Sequence, residues 1–392
     1  MDDISWILSQ NFWVIRLYDV PNFIVCTLLV VVGCRVVNVP RMAELALLAH
    51  CFLPFFLNGA LFPFSYMPDA LKYWRELNAI RSGGLGILEA LNAGNVKRAA
   101  AFFSVMPLPL AVTPLSIGFY NTFLYSSLFV WLYGKGVFTH FSMWFYLLYP
   151  SLALNAGMGL RDTLILLFMV VAVQWCREGR WLIMWLPLGL LFMIKFQNFF
   201  ILAPVLIIYT IFSVRHLGIS IGKGIVTLGV GLVAVASAAP FALPLVNKFR
   251  VAMFLEDGGE RGDVELLTGP ADLVSEGATS SLYFLLKPFP WEATSVFQLI
   301  QSFESLVVAI LLVLVVRQAW RRLPKKLVFW GLFIVFAMSI YGLVVFNYGT
   351  AARYRYPFIV IFVLFVCADC HVRRLFKPIF VPKKQLEHGI PS

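Results

Sequence analysis

The residues of this sequence best suited to chemistry are charged groups placed beside long apolar segments. Asp69 stands in the polar stretch PDALKYWRELNAIRSGG, residues 68–84, which follows the second long apolar run. A carboxylate there can take the proton of an acceptor hydroxyl or stabilise positive charge that develops at a sugar carbon. It can equally satisfy free backbone N–H groups at the start of a helix. Asp69 is therefore a candidate general base, with helix capping as the alternative.

Basic residues stand at the ends of other apolar segments, where a phosphate is a natural partner. Lys195 ends the run LLFMIK, Arg161 lies in GLRD, and Arg353 and Arg355 alternate with tyrosines in NYGTAARYRYP. Arginine can bind two phosphate oxygens at once through parallel hydrogen bonds. The structural alternatives are a Lys195 side chain that snorkels to the membrane interface, and an aromatic belt anchored by the two arginines.

Other polar residues complete the candidate substrate-binding set. Asp162 follows Arg161, and its alternative role is to cap the next helix. A charge inside the hydrocarbon costs on the order of 3 kcal/mol on insertion scales, so charged residues near spans usually face a bundle interior or water. The remaining candidates are Tyr73, Glu76, Trp291, Glu292, Glu304 and Tyr354.

These residues must be positioned by membrane-spanning helices. Of the 392 residues, 60% are hydrophobic and only 13% are charged, whereas soluble domains carry about 25% charged residues. At about 20 residues per crossing, the apolar runs predict an all-α, polytopic integral membrane protein with about eleven transmembrane helices in a single domain, residues 1–392. The spans are predicted near residues 22–38, 43–63, 114–133, 138–157, 162–176, 181–195, 197–213, 224–246, 301–319, 327–346 and 356–371.

The formal charge of +11 is explained by topology rather than by a nucleic-acid partner. The basic connections at residues 177–180 and 321–326 and the basic tail at 372–392 are predicted to be cytoplasmic, because short cytoplasmic loops carry an excess of Lys and Arg. Two long outer loops result, residues 64–113 and 248–300. The acidic, glycine-rich part of the second, around residues 256–265, is typical of a mobile segment.

The first outer loop is predicted to carry a helix that lies at the membrane surface. Leu71, Trp74, Leu77 and Ile80 recur at three-residue steps, while charges fill the other positions. The six cysteines lie within or beside apolar segments, which predicts no disulfide framework. A single C-x-x-C pair, residues 367–370, does not by itself predict a metal site.

In chain order, these features resemble the GT-C superfamily of membrane glycosyltransferases. The resemblance rests on Asp69 and Tyr73 in PDALKYW, on GLRD at 159–162, on Lys195 in MIKFQ, and on NYGTAARYRYP at 347–357. The segment KPFPWEATSVFQLIQSFESL is also similar to bacterial polysaccharide-polymerase-like membrane proteins.

The resemblance implies a GT-C-like fold and an enzyme of the inner (plasma) membrane that acts on the outer face. Such an enzyme transfers a sugar or glycan from a polyprenyl-phosphate or polyprenyl-diphosphate donor to a glycan acceptor. Asp69 would be the base, and Lys195, Arg353 and Arg355 would hold the phosphate. Many members have paired acids in the first loop, whereas Ala70 follows Asp69 here. We therefore expect no cofactor and a transfer that does not use a divalent metal.

Two other classes of function are compatible with the same residues. A transporter or flippase of lipid-linked glycans would also place polar groups at span ends, but it predicts polar residues through the full depth of the membrane. A scaffold subunit of a polysaccharide assembly complex would not need a cationic cluster. The spans are mostly free of midplane charge, which favours the enzyme.

Overall fold

A computed structural model of the chain describes residues 12–64, 68–214, 243–255, 259–260 and 263–372. Within these residues the secondary structure is helical, apart from an isolated β-bridge between Asn58 and Phe62. The helices are α1 (Phe12–Tyr18), α2 (Val20–Val36), α3 (Arg41–Leu57), α4 (Pro68–Arg81), α5 (Ile87–Asn92), α6 (Asn95–Ser104), α7 (Pro114–Gly134), α8 (His140–Leu148), α9 (Pro150–Gly157), α10 (Asp162–Arg177), α11 (Trp185–Ile194), α12 (Phe196–Val214), α13 (residues 243–255), α14 (Pro270–Leu286), α15 (Val296–Trp320), α16 (Pro324–Val344) and α17 (Tyr348–Asp369).

The apolar helices are those of a membrane protein. In the described part of the chain, four helices are long and apolar enough to cross a membrane: α7, α15, α16 and α17. The pair α9 and α10 passes the same test together, although the two helices meet at an angle of 119°. Helices α2, α11 and α12 are apolar but offer shorter apolar stretches. Length and composition thus identify four or five spans, and the total of about eleven remains a prediction.

Some element boundaries differ from those predicted. The predicted span at 138–157 is two helices, α8 and α9, because Pro150 starts a new helix and cannot continue the preceding one. Residues 347–355, which lie between two predicted spans, are helical from Tyr348 onward. There the Asn347 side chain accepts hydrogen bonds from the backbone N–H groups of Gly349 and Thr350, at 2.8 and 3.2 Å, which caps the helix.

The two outer loops contain more helix than the sequence predicts. The first loop holds α4, α5 and α6, and the second holds α13, α14 and a short 3-10 turn at Pro290–Glu292. Three predictions concern residues outside the described ranges: the first part of the span at 224–246, most of the acidic segment from 256 to 262, and the basic tail beyond residue 372.

Helix α4 is held firmly against the loop that precedes α7. Its buried face consists of Ala70, Tyr73, Trp74, Leu77 and Ile80, so three of the four predicted apolar positions are buried. Trp74 Nε1 donates to the Ala111 carbonyl oxygen at 2.9 Å. At the other end of the helix, Arg81 donates to the Ser104 and Met106 carbonyl oxygens at 3.1 and 2.9 Å. These contacts fix the direction in which α4 presents Asp69.

The segment between α6 and α7, against which α4 packs, is anchored by the buried carboxylate of Asp19. This carboxylate accepts hydrogen bonds from Ser116 Oγ at 2.7 Å, from Asn22 Nδ2 at 2.8 Å and from the Thr113 hydroxyl. Asn22 in turn exchanges two hydrogen bonds of 3.0 Å with the backbone of Leu110. A fully buried carboxylate persists only when such donors surround it. Asp19 therefore determines where the loop, and with it α4, is placed.

Polar side chains from α7 and from the residue after α3 fix the bend between α9 and α10. Asn58 Nδ2 donates to the Gly157 carbonyl oxygen at 2.8 Å, and Thr122 Oγ1 donates to that of Ala156 at 3.3 Å. The Asn121 amide donates to the carbonyl oxygens of Met158 and Leu160. The backbone groups freed by the break are thereby satisfied, as they must be away from water. The bend places Arg161 and Asp162 at the start of α10.

Close packing at Gly118 supports this bend, and its replacement by alanine is expected to destabilise the protein by about 1–3 kcal/mol. A Cβ atom at Gly118 would lie 2.7 Å from the Gly157 carbonyl oxygen, which is backbone and cannot swing aside. The control is Gly189→Ala, because a Cβ atom there meets no other atom within 4 Å. Thermal unfolding in detergent should give a lower Tm for Gly118→Ala than for Gly189→Ala. Equal values would show that the helices yield at this contact.

Candidate functional site

Charged residues from separate parts of the chain meet where α4, α10 and α17 begin. Arg353, in the second turn of α17, places its Nε atom 2.5 Å from Asp162 Oδ2 and its Nη1 atom 4.0 Å from Asp69 Oδ2. The Asp162 side chain is 4% exposed, whereas that of Asp69 is 44% exposed. The group is called the charged cluster below, and it comprises Asp69, Tyr73, Arg161, Asp162, Lys195, Arg353 and Tyr354.

Lys195 lies at the break between α11 and α12 and separates these two apolar helices. Its residue is buried, and its Nζ atom lies 3.7 Å from the centroid of the Tyr354 ring. A cation over an aromatic face is attracted by the negative face of the ring. The Arg353 guanidinium lies 5.8 Å from the centroid of the same ring. The ammonium is therefore a buried member of the charged cluster, and its described contact is with an aromatic ring rather than a carboxylate.

Arg161 carries the strongest sign of a missing partner. Its guanidinium lies 5.9 Å from the centroid of the Tyr73 ring. The buried Nε and Nη1 atoms have no hydrogen-bond partner among the described residues. Burial of unsatisfied donors is costly, so such groups in a folded protein indicate a bound water, ion or ligand. An anion within hydrogen-bond distance of these two atoms would satisfy them.

Arg161 also lines a cavity of about 360 Å³ beside the charged cluster. The cavity is lined by cationic and amide side chains together with phenylalanine rings. Its side-chain lining includes Asn95, Arg98, Arg161, Phe192, Phe196, Gln197 and Phe200. Ligand sites of this mixed kind commonly hold an amphipathic molecule, with the polar groups fixing its orientation.

Arg98 is a charged cavity residue that was not predicted from the sequence. Its Nε atom donates to the Leu91 carbonyl oxygen at 2.9 Å and its Nη1 atom donates to that of Met193 at 3.2 Å. The guanidinium thus ties α6 to α11 at the edge of the cavity. A signal was present, because Lys97 and Arg98 stand in the first turn of α6, where cations oppose the helix dipole.

The structure bears on the capping alternatives for the two aspartates. Arg161 occupies the capping position of α10, and no side chain caps this helix. The Asp162 carboxylate binds Arg353 instead. The described contacts of the Asp69 carboxylate are with Lys72, at 3.1 Å, and Arg353. Since residues 65–67 lie outside the described ranges, both roles remain open for Asp69.

Tyr73 contributes a neutral hydroxyl rather than a charge. The residue is 2% exposed, and burial raises the pKa of its hydroxyl above the usual value. Glu76 is half-buried on the same helix, three residues further along.

Arg355 does not join the charged cluster. The residue is 2% exposed. Its Nη1 atom donates to the carbonyl oxygens of Phe284, Leu285 and Lys287, at 3.2, 3.0 and 2.8 Å. Its Nη2 atom donates to Ser305 Oγ at 2.5 Å. The guanidinium therefore holds the end of α14 against α17 and α15.

We expect Arg355→Met to destabilise the protein by about 3 kcal/mol or more, because several buried carbonyl oxygens would lose a charged donor. Arg355→Lys should recover little, since one ammonium cannot reach the sites served by the guanidinium fork. Arg41→Met is the matched control, because Arg41 is exposed at the start of α3. Thermal unfolding in detergent measures the difference. If Arg355→Met were as stable as the wild type, the structural role would be wrong and a role of Arg355 in substrate binding would be favoured.

Trp291, Glu292 and Glu304 have their described contacts away from the charged cluster. Glu304 Oε1 accepts a hydrogen bond from the Ser151 backbone N–H at 2.9 Å, at the start of α9. Trp291 is exposed, and its ring stacks on that of Phe289. Burial acts to raise the pKa of Glu292, but hydrogen bonds from the Phe289 backbone and Lys287 outweigh it, and this pKa is lowered.

The donor set of the charged cluster suits an anion better than a divalent metal. Both carboxylates already face cations, whereas Mg²⁺ and Ca²⁺ bind sets of unpaired oxygen ligands. The expectation of a metal-free site stays a prediction. Comparisons of the chain with protein-family models, curated proteins and solved structures find no match.

Proposed function

We propose that the chain is a GT-C-type membrane glycosyltransferase. It transfers a sugar or glycan from a polyprenyl-phosphate or polyprenyl-diphosphate donor to a glycan acceptor, and polymerisation of polysaccharide repeat units falls within this activity. The observation that carries the proposal is that Arg353 binds Asp162 and approaches Asp69, while Lys195 and Arg161 lie over the rings of Tyr354 and Tyr73 in the same cluster. A half-exposed carboxylate beside several cations supplies the base and the positive charge that such a transfer needs.

The two carboxylates have different roles, which follow from how exposed each side chain is. Asp69, with a side chain that is 44% exposed, accepts the proton of the acceptor hydroxyl. The hydroxyl oxygen forms a bond to the anomeric carbon, the bond from that carbon to the phosphate oxygen breaks, and the electron pair leaves with the phosphate. Asp162, which is buried, keeps Arg353 in place.

The cations stabilise the charge that develops on the leaving phosphate. Preorganised donors aimed at a developing charge are often the largest single contribution to catalysis. Arg161 supplies two buried N–H donors without a described partner, Arg353 adds positive charge, and the Lys195 amine beside Tyr354 adds further N–H donors. A metal-free transfer fits these residues, because the carboxylates of the cluster already face cations.

The cavity beside the cluster suits a lipid-linked donor. Arg98 and Arg161 are the cationic residues of its lining, and a phosphate would bind to them. Phe192, Phe196 and Phe200 provide apolar surface for the first isoprene units of the lipid. A donor bound there would place its phosphate next to the charged cluster.

The predicted topology is compatible with an active site on the outer face of the plasma membrane. Helix α10 begins at Asp162 in the cluster and ends at Arg177, next to the basic connection at residues 177–180. A helix of this length spans about 24 Å. If the basic connections are cytoplasmic, as the positive-inside rule predicts, the cluster faces outward.

The test uses the purified full chain in proteoliposomes, supplied with a polyprenyl-diphosphate-linked oligosaccharide. Mass spectrometry should detect a longer lipid-linked glycan that contains a new glycosidic bond. Movement of a labelled lipid-linked glycan across the bilayer without bond formation would instead identify a transporter or flippase. If a panel of such donors gives no bond formation and no movement, the proposal is contradicted.

A further inference from the structure

A second basic site lies at the opposite end of the helices from the charged cluster. A cavity of about 590 Å³ is located where α7 and α10 end and α8 begins, beside the last residues of α17. Its lining includes Lys135, His140, Arg177 and His371. The cluster and this cavity are joined by α10, so about 24 Å separates them along that helix.

Lys135 and Arg177 line the cavity, whereas none of the acidic residues in the described part of the chain does. Each of these two cations contacts one carboxylate outside the lining: Lys135 Nζ lies 3.0 Å from Glu178 Oε1, and Arg177 Nε lies 3.0 Å from Asp369 Oδ1. Glu178 is shared with a third cation, because Arg180 Nε lies 3.2 Å from its Oε2 atom. The cavity wall therefore presents cationic groups and suits an anionic group.

An apolar groove of about 400 Å³ reaches the same lysine from the side. It runs between α2 and α7 and has Lys135 among its lining residues. Gly33 and Gly134 keep it open, because Cβ atoms there would lie only 3.4 Å from Val130 and 3.3 Å from Val37. Its lining on α7 extends from Phe123 to Gly134, a distance of about 16 Å.

We infer that the groove and the cavity together bind one anionic glycerophospholipid. An acyl chain would lie along α2 and α7, and the phosphate would sit at Lys135, which lines both spaces. An occupant of both must carry a long apolar chain that ends in a negative group, which describes an anionic lipid. Basic pockets between membrane helices are known to hold such headgroups.

Native mass spectrometry of the purified full chain tests this inference. Phosphatidylglycerol and phosphatidylcholine with identical acyl chains are titrated in parallel, and phosphatidylglycerol is expected to remain bound. Lys135→Gln should weaken its binding about fivefold, the effect of one basic residue at an anionic headgroup. Gly33→Leu fills the groove and should weaken binding as well. The matched controls are Lys248→Gln, at an exposed site on α13, and Gly189→Leu, where the helix surface is open.

Three outcomes would overturn the inference. Equal retention of the two lipids would show that charge plays no part. If Lys135→Gln and Gly33→Leu each bind phosphatidylglycerol as the wild type does and keep the wild-type Tm, the lipid binds elsewhere. Displacement of phosphatidylglycerol by inorganic phosphate, with no effect of Gly33→Leu, would identify the cavity as a site for free phosphate.

Discussion

Asp69→Asn is expected to lower glycosyl transfer by about 100-fold to 10,000-fold, the usual contribution of a general base. Asparagine has nearly the same shape as aspartate and can still accept a hydrogen bond from Lys72, but it cannot take a proton from the acceptor hydroxyl. Because the Asp69 side chain is 44% exposed, its replacement leaves no buried group without a partner. The rate of formation of the elongated lipid-linked glycan in proteoliposomes measures the effect.

The control for this experiment is Glu89→Gln. Glu89 is an exposed carboxylate in the first turn of α5, within the same outer loop as Asp69. Its rate should equal that of the wild type. If Asp69→Asn keeps the wild-type rate but lowers Tm, the carboxylate is a helix cap and the catalytic assignment is wrong. If the rate falls while Tm and donor binding are unchanged, the general-base role is supported.

Arg353→Met is expected to lower the free energy of unfolding by about 3–5 kcal/mol, because removal of one partner of a buried ion pair leaves the other charge unpaired. The stranded charge is that of Asp162, whose side chain is 4% exposed. The double variant Asp162→Asn with Arg353→Met should regain much of the loss, since no charge is then stranded. Unfolding in a titration with sodium dodecyl sulfate measures these free energies.

Lys72→Met is the matched control for this prediction. Lys72 lies 3.1 Å from Asp69, the two side chains are 63% and 44% exposed, and exposed ion pairs contribute only about 0–1 kcal/mol. If the single variant Arg353→Met were as stable as Lys72→Met, the pair with Asp162 would not hold the cluster together. Equal stability of the single and double variants would show that the two charges are not coupled.

Element boundaries were predictable where local chemistry determines them. Helix α7 was predicted at residues 114–133 and is found at Pro114–Gly134. A capping threonine and a proline come before the apolar run. These neighbouring residues predict where the helix begins. The break at Pro150 was missed because the apolar run continues through it, and hydrophobicity does not report a change of direction.

The site was predictable in part. Charged residues beside apolar runs are conspicuous in a sequence, and Asp69, Arg161, Asp162, Lys195 and Arg353 could be chosen on that ground. Their meeting depends on the bend before α10 and on the anchoring of α4 by Asp19, neither of which a local pattern reveals. Arg98 was missed because its significance arises only when α6 packs beside α11.

Composition and hydrophobic runs are local properties, so the amino-acid sequence predicts a helical membrane protein with cations and carboxylates at the ends of its helices. Which of these charges act together depends on the packing of helices that are distant in the chain. Arg353 and Arg355 look equivalent in RYRY, yet residues two apart on a helix point about 200° away from each other. Helix α17 therefore turns Arg353 toward Asp162 and Arg355 toward the carbonyl oxygens of α14.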